Sequence, residues 1–196
     1  MNENHLPKRK PLRLPHYDYS SRGAYFVTIC TQDKRPLLST IVPDTGISAD
    51  ESSVGVGAST TREKGALGAS FDGNVKIHLT AIGEIVERHL LSSEKIPGVR
   101  IDKYVIMPDH VHVIVFLDPD QYKRGSLGEE ASPANRMLPH VISSFKRFCG
   151  KEIGEPLFQR GYMERVIRDR EDYEAHANYI QKNPARRYFR KSESNT

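Results

Sequence analysis

Residues 99–117, VRIDKYVIMPDHVHVIVFL, hold two runs of β-branched and aromatic residues on either side of a Pro108-Asp109 pair. Proline followed by aspartate is turn chemistry, so the runs 99–107 and 111–117 are predicted to form a hairpin. Val113 to Leu117 is apolar at every position, so this strand is covered on both faces and belongs at the centre of a sheet. At its start His110 and His112 stand two residues apart. Alternate strand residues share a face, so both imidazoles project the same way from a strand that is otherwise buried.

Working outward, residues 24–32 (AYFVTICTQ) and 75–79 read as further strands. Thr80 is a candidate N-cap for a helix to about residue 93, with Ile82, Ile85, Val86, His89 and Leu90 on one face, ended by Pro97-Gly98. After a polar loop over 119–131, Ser132-Pro133 or Leu138-Pro139 can open a second helix. Its stripe is Leu138, Val141, Ile142, Phe145, Phe148 and Cys149, and Gly150 or Gly154 closes it. Residues 158–168 read as irregular and extended. Asp169 caps a final helix over 170–183, stopped by Pro184. Strands and helices interleave and hairpins occur, which predicts an α+β domain with an antiparallel sheet and helices on one face.

The remainder of the chain sets boundaries. Residues 39–73 are rich in Gly, Ser, Ala and Thr with little periodicity and read as a flexible insertion. Residues 1–16 read as a basic arm and 188–196 as a polar tail, leaving one domain over 17–187. The 196 residues contain two cysteines, Cys30 and Cys149, without CxxC spacing; both are expected to be buried thiols, and a disulfide framework is excluded. No run approaches the length and apolarity of a transmembrane helix, and the polar N-terminus has no signal-peptide core, so a cytoplasmic protein without a membrane partner is expected. GVGAS at 55–59 is not followed by Lys-Ser/Thr, so no phosphate-cradling loop is present.

Three groups of residues can carry chemistry. His110 and His112 either converge on a divalent cation or form an ordinary hydrogen-bonded pair; zinc would require a third protein ligand. On the final helix Asp172, His176, Tyr179 and Asn183 share a stripe distinct from the apolar one of Tyr173, Ala177 and Ile180, and Tyr179 and Asn183 are neighbours one turn apart. Tyr179 is either a nucleophile, which needs activation at neutral pH, or a tyrosine packed half in the core. Charge is the third signal. Both ends of the chain are net basic and the middle is net acidic. The cluster that includes Lys146, Arg147, Arg160, Arg168, Arg186 and Arg187, with aromatics interleaved, either grips phosphates or is a solvated surface.

Taken together, YFVTICTQDKRPLL, LTAIGEIV, YVIMPDHVHVIV, SFKRF and LFQRGYMERVIRDREDYEAHANYIQKNPAR resemble the REP-associated tyrosine transposases of the single-tyrosine HUH superfamily, over most of residues 17–187. The resemblance implies a ferredoxin-like α+β sandwich with the two histidines on a central strand of an antiparallel sheet. It implies Mg²⁺ or Mn²⁺ at His110 and His112, with Asn183 aligned to the polar residue that completes the metal site. Tyr179 becomes the nucleophile, forming a 5′-phosphotyrosine link to single-stranded DNA, and hairpin-forming repeats become the substrate. The arm residues Lys8, Arg9, Lys10 and Arg13 then grip DNA together with the basic cluster. A binding protein for DNA hairpins without catalysis, and a metallo-phosphoesterase independent of Tyr179, are the competing readings. Whether the active form is a monomer or a homodimer stays open.

Overall fold

Alternation along each strand sorts the side chains into two layers. A computed structural model of the chain describes residues 22–44, 75–122 and 133–193. Its elements are β1 (Gly23–Cys30), β2 (Ser39–Pro43), β3 (Val75–Leu79), α1 (Ala81–Ser92), β4 (Val99–Met107), β5 (His110–Leu117), α2 (Pro133–Ile153), β6 (Met163–Ile167) and α3 (Arg170–Glu193). The strands β4, β5, β1 and β6 lie side by side in that order, each neighbouring pair antiparallel, and β2 pairs with β3 in a separate small sheet. The protein is thus α+β, and β5 takes the central place its apolar run requires.

On one face Val111, Val113, Val115 and Leu117 of β5 join Tyr25, Val27 and Ile29 of β1 and Ile101, Tyr104 and Ile106 of β4. Val86 and Leu90 of α1 and Leu138, Val141, Ile142, Phe145 and Cys149 of α2 close this core. Each fully buried aliphatic side chain contributes roughly 1.5–3 kcal/mol. Ile101 and Tyr104 reach the same face although three residues apart, because β4 carries a one-residue bulge between them opposite Val113–Val115 of β5. On the other face Ala24, Val105, Met107, Ile114 and Ile167 pack with Ile180, Ala185, Tyr173 and Ala177 of α3 and with Val75, Ile41 and Ile77 of the small sheet. The helices therefore lie on both faces of the sheet, not on one. α1 and α2 already fill the first face, so the apolar stripe of α3 is buried on the second.

Other expectations need amendment. The insertion expected over 39–73 begins with β2, whose Ser39 hydroxyl donates to the Ile106 carbonyl at 2.8 Å; β-branched Thr40, Ile41 and Val42 favour the strand. Residues 45–73, the basic arm 1–16 and most of the 119–131 loop lie outside the described residues. Part of 158–168 is the regular strand β6, paired with β1. Pro184 does not stop α3, which continues through it into the region expected as a polar tail. Proline forfeits one helical hydrogen bond at a local cost of about 3 kcal/mol. Burial of Ala185, packing of Tyr188 and the ion pair made by Arg187 outweigh that loss. Cys149 is buried as expected, but Cys30 is only half-buried.

The capping expectations agree with the structure. The Thr80 hydroxyl accepts from Gly83 N at 3.0 Å and donates to the Leu37 carbonyl at 2.6 Å. Asp169 accepts from Asp172 N at 2.8 Å, and Asp172 accepts in return from Arg168 N at 3.2 Å. Pro133 opens α2, Pro139 lies within it, and Gly154, with φ of 92°, follows its end. Gly83 is the tightest point between α1 and the chain before β2: a Cβ there would collide with the Leu38 carbonyl oxygen. Gly83→Ala is expected to cost about 2–3 kcal/mol in urea unfolding, within the range of overpacking defects, whereas Ala at the open position Gly161 is tolerated.

Candidate active site

The Pro108-Asp109 turn places His110 at the first position of β5, and strand alternation puts His112 on the same face, under α3. The two imidazoles meet with Nε2 3.0 Å from Nε2. Each outer nitrogen has a partner. His110 Nδ1 lies 2.6 Å from Asp109 Oδ1, and His112 Nδ1 lies 2.8 Å from the hydroxyl of Thr28, its cross-strand neighbour on β1. The turn is fixed from the residue after β1 as well, since Thr31 donates its backbone N–H to the Asp109 carbonyl at 2.9 Å, and its hydroxyl lies between the carbonyls of Arg35, at 2.8 Å, and Asp109, at 3.0 Å.

Asp109 is the electrostatic anchor. Burial alone would raise its pKa, but the hydrogen bonds from Arg187 and His110 outweigh this and hold the carboxyl below its usual range. Arg187 of α3 donates to both oxygens, Nη1 to Oδ1 at 2.5 Å and Nη2 to Oδ2 at 3.0 Å. An ionised Asp109 requires a proton on His110 Nδ1, which leaves the His110 Nε2 lone pair aimed at His112. Burial pushes both histidines toward the neutral form, His112 to about 3, with the proximity of His110 adding to the effect. The His112 Nε2–H thus donates to His110 Nε2, and the Thr28 hydroxyl donates to His112 Nδ1.

The pair fits a divalent cation. Two adjacent ligands of an octahedral ion at about 2.1 Å stand about 3.0 Å apart, the observed separation of the Nε2 atoms. Binding would shift the His112 proton to Nδ1, and the Thr28 hydroxyl can turn from donor to acceptor without moving. Among the described residues no third His, Cys, Asp or Glu joins the pair.

α3 carries Tyr179 to this point. Tyr173, Ala177 and the fully buried Ile180 seat the helix on the sheet. The adjoining stripe turns the Tyr179 ring edge-on to His112, centroids 5.2 Å apart, and to Phe26, 5.8 Å apart. Tyr179 remains 39% exposed, so the residue is accessible from solvent. His176 packs on Phe26 at 4.7 Å and donates from Nδ1 to the Asp172 carbonyl at 2.7 Å. Asn183 is half-buried one turn beyond Tyr179; among the described residues no hydrogen bond or ring contact ties it to the histidines.

The basic residues divide. Lys146 donates to the carbonyls of Gln159 at 2.8 Å, Arg160 at 3.3 Å and Gly161 at 2.7 Å, and burial lowers its pKa to about 8. This ammonium fastens α2 to the segment before β6. Arg187 is likewise engaged, by Asp109. Arg147 lies over Phe148, 5.1 Å from its ring centre. Arg160 and Arg186 are exposed, and Arg168 is exposed just beyond the Ile167 end of β6, away from the histidines. Lys8, Arg9, Lys10 and Arg13 lie outside the described residues. Thr28 and Phe26 were not singled out from the sequence. Their alternation marks a shared strand face, but only the pairing of β1 with β5 sets them beside His112.

The buried histidine gives a pH signature. The unfolded chain takes up a proton at His112 near pH 6.5, which the folded chain refuses until about pH 3. Stability is therefore lost as pH falls through that window. Asp109 acts in the same direction, because its lowered pKa favours folding above the ordinary carboxyl range. In chelator, stability at pH 5 should lie about 2 kcal/mol or more below that at pH 7.5, and His112→Gln should make the loss smaller when urea midpoints are compared.

No protein-family model matches the chain. A protein of Haemophilus influenzae (strain ATCC 51907 / DSM 11121 / KW20 / Rd) described as uncharacterized is 27% identical over 192 residues, covering 90% of this chain and 88% of that one. Among solved structures, a REP-associated tyrosine transposase bound to a REP hairpin is similar, with a TM-score of 0.46 and 16% identity over 89% of this chain and 74% of the other.

Proposed function

We propose that the protein is a metal-dependent single-strand DNA endonuclease and strand transferase that works through a covalent 5′-phosphotyrosine, with hairpin-forming DNA as its substrate. One observation carries the reading: within a single chain, two imidazole Nε2 atoms 3.0 Å apart lie beside the ring of a solvent-accessible tyrosine. An ordinary structural histidine pair has no need of an adjacent accessible nucleophile. The sequence motifs around His110, His112 and Tyr179 support the same assignment.

In this reading His110 and His112 hold Mg²⁺ or Mn²⁺, and the amide carbonyl of Asn183 is proposed as a further ligand from α3. When bound, the cation supplies Lewis-acid stabilisation of charge on the scissile phosphate. Asp109 keeps His110 in the tautomer that presents Nε2, and the Thr28 hydroxyl would accept from His112 Nδ1 once the His112 proton had moved there. Tyr179 Oη forms the new bond to phosphorus while the bond to the 3′-oxygen breaks. The tyrosine proton is released and the departing oxygen takes one up as a 3′-hydroxyl. Attack by another 3′-hydroxyl reverses the step, joins strands and frees Tyr179. One phosphodiester replaces another throughout, so no nucleotide triphosphate is consumed.

The test is a denaturing gel of a labelled hairpin oligonucleotide, from repeats flanking the coding sequence, incubated with protein and Mn²⁺. Wild-type protein should give a covalent adduct and Tyr179→Phe none, while the variant binds the oligonucleotide as before. Cleavage by both proteins would make water the nucleophile, and binding by both without adduct would leave a hairpin-binding protein. The role of Thr28 has its own readout: Thr28→Val should weaken Mn²⁺ binding about tenfold, measured in the DNA-free protein by the electron paramagnetic resonance of the free ion.

A further inference from the structure

β6 is an edge strand, and α3 covers only part of it. Its residues alternate between faces: Glu164 and Val166 turn toward α2, while Met163, Arg165 and Ile167 turn toward α3. Ile167 is buried at the start of α3, yet Met163 at the other end is 58% exposed and Arg165 is exposed. From there α3 leans away over β4, β5 and the small sheet. The uncovered corner adjoins the nucleophile. Phe26, the cross-strand partner of Arg165, is the ring against which Tyr179 stands edge-on at 5.8 Å. Thr28 has His112 on one side and Met163 on the other, so Met163 lies two strand spacings, about 10 Å, from His112.

The side chains in this corner are unusual for a solvated edge. Met163 is a large apolar group left in water on the sheet face that holds the histidines. Among the described residues no carboxylate pairs with Arg165, whereas Arg187 is bound on both sides of its fork. A thioether packs favourably on an aromatic edge, and a guanidinium plane stacks on a base while its edge reaches phosphate.

We infer that Met163 and Arg165 form a platform for an unpaired nucleobase next to the scissile phosphate. The inference rests on the nuclease reading and adds to it a place for the flanking nucleotide. The strand would run from the phosphate beside Tyr179 across Phe26 and Thr28 to the margin of β6. Both side chains are exposed at the sheet margin, so the site favours a single strand with exposed base faces over a duplex.

The test uses the full chain carrying Tyr179→Phe and a fluorescein-labelled hairpin oligonucleotide with a single-stranded overhang, from repeats flanking the coding sequence. Anisotropy is read with abasic sites placed one at a time along the overhang. One position should cost about tenfold in affinity. Adding Met163→Ala and Arg165→Ala should cost a similar factor and abolish sensitivity to that abasic site, with thermal unfolding unchanged because both side chains are exposed. Arg165→Lys, which keeps the charge and loses the plane, should recover little of the sensitivity. Unaltered affinity and an unaltered abasic profile would overturn the platform and leave Arg165 as a charge that keeps other strands off the edge. A platform result with no adduct from the chain bearing Tyr179 would overturn the nuclease alone; failure to bind any strand would overturn both.

Discussion

The Asp109 carboxylate ties the candidate site together. It stands in a two-residue turn, is largely withdrawn from water, and is held by Arg187 from α3 and His110 from β5. A buried charge is tolerated only when it is paired and hydrogen-bonded, and losing one partner leaves the other stranded. The carboxylate thus specifies the angle at which α3 crosses the sheet and the face of His110 that looks inward. Thr31, the residue after β1, fixes the same residue through its carbonyl. The end of the sheet, the histidine turn and the tyrosine helix are therefore set by one residue's oxygens.

That arrangement changes what the basic residues mean. Arginine and lysine near a suspected DNA site invite assignment to phosphate, but Arg187 is occupied by an internal carboxylate and Lys146 by three carbonyls. Both act on shape before they act on a ligand. Long cationic side chains reach many partners, and their position in sequence says little about which one they find.

Much of this architecture could be read directly. The hairpin around Pro108-Asp109, the central place of β5, the caps at Thr80 and Asp169 and the buried stripes of α1 and, except for the exposed Phe148, of α2 follow from local pattern, and local pattern is what governs them. The failures share a cause. β2, the course of α3 through Pro184 and the split of helices between two faces are decided by partners far along the chain. The histidines and Tyr179 were legible as types at suggestive spacings. Their support was not: Thr28 and His112 are 84 residues apart, and Asp109 and Arg187 are 78 apart. No window of sequence contains both members.

The same separations govern the order in which the protein can come into being. β1 is among the first strands made, yet both of its sheet neighbours, β5 and β6, arrive later. The histidine pair gains its orienting arginine only when α3 has been synthesised past residue 187. Contacts between such distant segments form late and slowly in folding. A chain interrupted before residue 179 would carry the histidines without the tyrosine or the arginine. On the nuclease reading, an incomplete product is harmless to the DNA near which it is made.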